Sequence, residues 1–140
     1  MYELVHLRNG QTEHRDVGNF FVDGNAQPGM ADFQCVQRVD HTHDLAMFVA
    51  SALDVVDRSE HEVALLQHYL DHLERLGVLR PSFDGVWLGY RRHLLYALVV
   101  WLFTTDRFQP ELHLVTNVFR YGTAALDLDA IGAIAEGTTS

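Results

Sequence analysis

The chain has 140 residues, 48% of them hydrophobic, enough to bury one core and too few for two domains of ordinary size. Ten Lys+Arg stand against 19 Asp+Glu, a formal charge of -9, and the basic residues are scattered, which argues against a phosphate backbone as partner. The single Cys35 rules out an internal disulfide, and no basic stretch followed by an apolar run opens the sequence, so a cytoplasmic protein is expected.

Residues 1–40 are rich in Gly, Asn and Asp around short apolar clusters, 19–22 and 29–33, separated by Asp23-Gly24-Asn25 and Pro28-Gly29. That pattern predicts a loop followed by a β-hairpin. From Thr42 the period becomes helical: Leu45, Phe48, Val49, Ala52, Leu53 and Val56 share one face, with Thr42 as cap and Asp44 in the first turn. A second helix is predicted from Ser59, with Glu62 three residues on as its capping-box partner, through Leu66, Leu70 and Leu73 to Gly77.

A third helix spans about 82–105 and presents Trp87, Tyr90, Leu94, Ala97, Leu98 and Trp101; its apolar run, 94–103, has about half the length of a bilayer span and includes Tyr96, so it reads as a buried helix and no membrane partner is expected. A fourth follows Pro110 and carries Leu112, Val115, Phe119, Leu126 and Ile131, with Gly122 a candidate bend, and the Ala/Gly/Thr/Ser tail after Ile134 is expected to fray. The fold class is thus α+β, mainly helical: one domain over 1–140, in which a loop and hairpin (1–40) pack on about four helices (41–136).

The segment that points to chemistry is His14-Arg15-Asp16-Val17-Gly18-Asn19-Phe20-Phe21-Val22-Asp23, followed by Asp32-Phe33-Gln34. An amide oxygen on a loop and a carboxylate after a strand are hard oxygen ligands of the type that hold Mg²⁺ on nucleotide phosphates, and the predicted hairpin brings Asn19 and Asp32 together. Taken with Cys35-Val36-Gln37-Arg38, Asp44-Leu45-Ala46, the Leu65-Leu66 to Tyr69-Leu70 helix and Tyr90-Arg91, this segment resembles the C-terminal lobe of the aminoglycoside phosphotransferase family, including its ecdysteroid-kinase-like branch, over about residues 4–134.

The resemblance implies transfer of the ATP γ-phosphate to a small-molecule hydroxyl, with Asn19 and Asp32 as the Mg²⁺ and nucleotide ligands. The family's catalytic Asp lies five residues before its Asn. Here that position is His14, with Thr12 and Glu13 where the family has His and Gly. Asp16 takes the role if the loop is shortened, and Leu4-Val5-His6 is an alternative start of the motif, followed by an insertion.

The chain contains no Lys, and the resemblance starts close to residue 1, so the lobe that clamps the nucleotide is expected to come from a second chain or to have been lost. Homodimerisation is the other expectation for a lobe without its partner. The competing reading is a non-catalytic kinase-like lobe acting as subunit, scaffold or remnant.

Three other features have a structural and a functional reading. Nine His are present, among them His68 and His72 four apart and His41 and His43 beside Asp40 and Asp44; a zinc site is one reading and solvated surface the other, and Tyr69 stands where a metalloprotease helix would carry Glu. Trp87, Tyr90 and Trp101 fit core packing or a substrate pocket, and Cys35 fits a small buried residue. The acidic excess suits either solubility or a cationic acceptor such as an aminoglycoside.

Overall fold

The computed structural model describes residues 4–8, 11–15, 20–30 and 38–136. These fall into two compact units that divide between Val39 and Asp40. The first holds four short strands, β1 (Leu4–Arg8), β2 (Gln11–Arg15), β3 (Phe20–Val22) and β4 (Pro28–Met30); the second holds helices α1 (Thr42–Ala52), α2 (Val55–Arg75), α3 (Phe83–Phe103), α4 (Glu111–Asp127) and α5 (Ala130–Ala135). The described chain is mainly helical, and no helix among these residues is long and apolar enough to cross a membrane.

The first unit consists of two antiparallel pairs, β1 with β2 and β3 with β4. The β3–β4 hairpin is the predicted one, with Phe20 opposite Met30, Phe21 opposite Gly29 and Val22 opposite Pro28. Its turn is built by Asp23, whose carboxylate accepts from the backbone N–H of Asn25 at 2.8 Å and of Gln27 at 2.9 Å, and these two donors hold the carboxyl below its ordinary range. The left-handed residue of the turn is Ala26, at φ 60°, rather than Gly24. The β1–β2 pair replaces part of the expected loop: residues 4–8 and 11–15 alternate in register, Val5 opposite His14 and Leu7 opposite Thr12.

In the second unit α3 packs against each of the other four helices. Val86, Tyr90, Leu94 and Ala97, at spacings of four, four and three along one face, are all at most 1% exposed. They meet Ala46, Val49 and Ala50 of α1, Leu66 and Leu70 of α2, Tyr121, Ala124 and Ala125 of α4 and Ala130 of α5 in one cluster. The many alanines let the helix backbones approach closely, while each large side chain buried there contributes roughly 1.5–3 kcal/mol.

Helix boundaries depart from the sequence reading at three places. Thr42 is not the cap of α1 but its first residue, after His41, and its hydroxyl donates to Asp40 instead of accepting from the first turn. The first helix stops at Ala52: Leu53 is extended, and the Ser51 carbonyl at the end of the helix accepts from the Arg120 guanidinium of α4. The second then starts at Val55, because the Asp54 carboxylate accepts from Asp57 N–H at 2.9 Å and so serves as the cap. Ser59 and Glu62 therefore form no capping box. Ser59 sits inside the helix with its hydroxyl donating to the Val56 carbonyl, and Glu62 is buried.

The expected end of that helix is present: Gly77, at φ 77°, lets its own N–H reach the Glu74 carbonyl and that of Val78 reach Leu73, the paired bonds of a Schellman motif. Ser82 caps α3 by accepting from Gly85 N–H at 3.2 Å. The predicted fourth helix is two. The chain turns at Asp129, at φ 46°, because Arg91 of α3 takes the carbonyls of Leu128 and Asp129 at 2.7 and 3.1 Å, and the Asp129 carboxylate caps α5 through Gly132 N–H. Gly122 interrupts nothing.

Candidate functional site

Of the four residues singled out for phosphoryl chemistry, Asp16, Asn19 and Asp32 lie outside the described residues, as does Cys35. His14 lies in β2, paired opposite Val5, so it belongs to a strand and not to a loop. Between the two candidate metal ligands the hairpin itself is described: Asn19 immediately precedes Phe20, Asp32 follows Met30 by two positions, and Phe20 and Met30 are paired.

The helical unit contains a polar cluster that the pattern of the sequence did not reveal. Asp40 accepts from Thr42 twice, from its N–H at 2.8 Å and from its hydroxyl at 2.6 Å. Having donated its one proton to the carboxylate, the Thr42 oxygen meets His93 Nδ1 of α3 at 2.9 Å as an acceptor. The same Nδ1 lies 2.9 Å from the Gly89 carbonyl, which can only accept, so Nδ1 carries the proton and Nε2 is the basic nitrogen. Thr42 is 2% exposed.

The two bonds from Thr42 hold the Asp40 carboxyl below its ordinary range. Burial is the main cause that pushes the His93 imidazole down, and the neighbouring His43 adds to it. The His43 ring stands edge-on to His93 with centroids 5.6 Å apart and lies 5.0 Å from the Tyr96 ring. Its Nδ1 contacts the Asp44 carboxylate at 3.0 Å, whereas its Nε2 is buried without a hydrogen-bond partner. His43 is accordingly no solvated surface histidine, its side chain being 12% exposed.

A second polar feature of the helical unit is an ion-pair network. Arg58, 1% exposed, donates to Glu62 at 2.7 Å and to Asp127 of α4 at 2.5 Å, and the Tyr90 hydroxyl donates to the same Glu62 oxygen at 3.1 Å. Burial first, and the Glu62 carboxylate second, push the Tyr90 phenol far above its ordinary range, which makes it a permanent donor. The helix spacing that suggested an aromatic core face is correct for Tyr90; Trp87 stacks on it at 5.8 Å and on Phe83 at 6.0 Å. Trp101 borders a shallow recess of about 380 Å³ together with Met47, Phe103 and Phe108.

His68 and His72 stack at 6.4 Å, and His41 stacks on Tyr69 at 5.9 Å. No group of three or more His, Cys, Asp or Glu side chains suited to a metal ion occurs among the described residues. No family profile, curated protein or solved structure matches this chain.

Proposed function

We propose that the chain forms the C-terminal lobe of an ATP-dependent phosphotransferase acting on a small-molecule hydroxyl, of the aminoglycoside-kinase type. The observation that carries this reading is the β3–β4 hairpin: its paired ends, Phe20 and Met30, are directly continued in the chain towards Asn19 and Asp32, and a helical bundle follows. One amide oxygen and one carboxylate form a donor set suited to Mg²⁺, which when bound supplies positive charge against the phosphate oxygens. Asp16 or His14 then orients the acceptor hydroxyl and takes its proton.

A second reading, a non-catalytic lobe of the same type that serves as subunit or scaffold, is favoured by the place of His14 within β2, where its backbone is committed to pairing with Val5. Calorimetric titration of Mg²⁺-ATP into the purified chain and into Asp32→Asn tests the nucleotide site that the catalytic reading needs. Binding that the substitution removes supports it. Equal heats for both proteins, or none for either while circular dichroism shows the helices intact, would overturn it and leave the scaffold reading.

A further inference from the structure

The outward face of a helix in a bundle is ordinarily polar, and α2 follows that rule: Glu60, Ala64, His68, Asp71 and Arg75 succeed one another along its exposed side. Helix α4 does not. Its core side is marked by the buried Tyr121, Ala124 and Ala125, and on the opposite side stand Leu112, Val115, Phe119 and Leu126, which are 74%, 61%, 65% and 82% exposed. At about 100° per residue these four fall within one narrow stripe. The only Lys, Arg, Asp or Glu between Leu112 and Leu126 is Arg120, and it turns aside to the Ser51 carbonyl of α1.

The apolar surface continues onto α3. Leu98 lies beside Gly122 and Arg91 reaches the Leu128 carbonyl, so the two helices run antiparallel, with Val99 and Leu102 level with the middle of α4. Those two are 44% and 58% exposed. A fully exposed side chain of this size presents roughly 150–200 Å², so the six together leave on the order of 600–750 Å² of apolar surface in water. The largest apolar patch of an ordinary monomer is about 300–600 Å². A stable dimer covers about 800 Å² on each partner, about 65% of it apolar, which is roughly 520 Å² and within what this face supplies.

We propose that this face is the contact between two copies of the chain, related by a two-fold axis that passes near Phe119. The order of residues along the stripe selects a second copy as the occupant. Leu112 lies seven residues before Phe119 and Leu126 seven after it, so a copy turned end for end offers the same succession of large side chains. Val115 then falls opposite Gly122 and Thr123, which leave room for it. Such a contact is self-complementary and closes at two chains. The charge of -9 on each chain opposes the pairing at long range, so added salt strengthens it. The contact is independent of the nucleotide reading.

Sedimentation equilibrium of the full chain, at about 1 to 100 µM, is expected to give twice the 15.9 kDa chain mass. Phe119→Glu sets two carboxylates against each other near the axis and raises the dissociation constant at least about thirtyfold. Leu79→Glu, at a residue 93% exposed and outside the helices, leaves it unchanged. A wild-type chain that stays monomeric, its stripe then covered by residues 1–39 or by a different protein, would overturn the proposal. So would an open-ended series of larger species, or a dimer that Phe119→Glu leaves intact or that Leu79→Glu also abolishes. If Phe119→Glu loses its helices by circular dichroism, NMR during dilution of the wild-type dimer decides: amide shifts that move along 99–102 and 112–126 sustain the contact, and shifts that move only elsewhere remove it.

Discussion

Gly89 on α3 and Thr42 at the start of α1 approach so closely that no methyl group fits between them. A Cβ built on Gly89 would lie 2.5 Å from the Thr42 hydroxyl oxygen and 2.9 Å from its methyl carbon. Thr42 is held from both sides, by Asp40 and by His93.

Gly89→Ala is therefore expected to lower stability by about 1–3 kcal/mol in spite of the better helix propensity of alanine. Gly122→Ala is the control, since there the nearest side-chain atom, on Leu98, would stand at 3.9 Å. It is expected to leave stability unchanged or raise it by up to about 1 kcal/mol. Urea denaturation of both variants checks the pair, and equal effects would contradict the packing described.

The cap of α2 separates two otherwise plausible residues. Asp54 accepts from Asp57 N–H, whereas the Ser59 hydroxyl returns to the carbonyl of Val56 three residues back. Asp54→Ala is expected to cost about 1 kcal/mol and Ser59→Ala less than about 0.5 kcal/mol, read from the midpoints of urea transitions. The reverse order would restore the capping box at Ser59.

Glu62 is the buried partner of a buried guanidinium and also the acceptor for Tyr90. Removing it leaves Arg58 with Asp127, which is half exposed, and with an Nε that already has no partner. Glu62→Ala is expected to destabilise the helical unit by about 3–5 kcal/mol, and Tyr90→Phe by about 1 kcal/mol, measured by thermal and urea unfolding.

Two groups of the α1–α3 contact give stability a pH dependence of the same sign in different windows. His93 is pushed down by burial, so the unfolded chain binds its proton more readily and stability falls as pH drops below the ordinary histidine range. Asp40 is held down by Thr42, so its contribution is present above the ordinary carboxylate range and disappears as pH falls through it. Denaturation midpoints measured from pH 8 to pH 3 are expected to decline in two steps, with the upper step absent in His93→Asn and the lower one reduced in Asp40→Asn.

What the sequence disclosed follows from which interactions are local. The helices of the bundle are legible from their 3.6 period, and Ser82 and Gly77 from the residue types that caps demand, because those signals depend on neighbours within one turn. Two of the misplaced boundaries involve arginines distant in sequence: Arg120 takes the end of α1 and Arg91 divides what periodicity joined into α4 and α5. The start of α2 is a local matter, since Asp54 caps it in place of Ser59. Glu62 looked like a capping partner because its spacing from Ser59 is right; its pairing with Arg58 and Tyr90 is a tertiary choice.

The candidate sites divide in the same manner. The hairpin between Asn19 and Asp32 was legible from Asp23, Gly24 and Pro28, whose turn chemistry is local. The Asp40–Thr42–His93 chain was not, since Thr42 and His93 are 51 positions apart and only the packing of α1 on α3 unites them. A signal existed in Asp40 and Thr42, a carboxylate two residues before a hydroxyl at a helix start, although it says nothing of its histidine.

The most direct test of the proposed nucleotide site is paramagnetic: Mn²⁺-ATP in place of Mg²⁺-ATP, with line broadening of backbone amides recorded by NMR on the wild-type chain and on Asp32→Asn. The account predicts broadening concentrated on the described hairpin, residues 20–22 and 28–30, and its loss in the variant. Broadening that leaves the hairpin untouched, or that persists unchanged in Asp32→Asn, would contradict it.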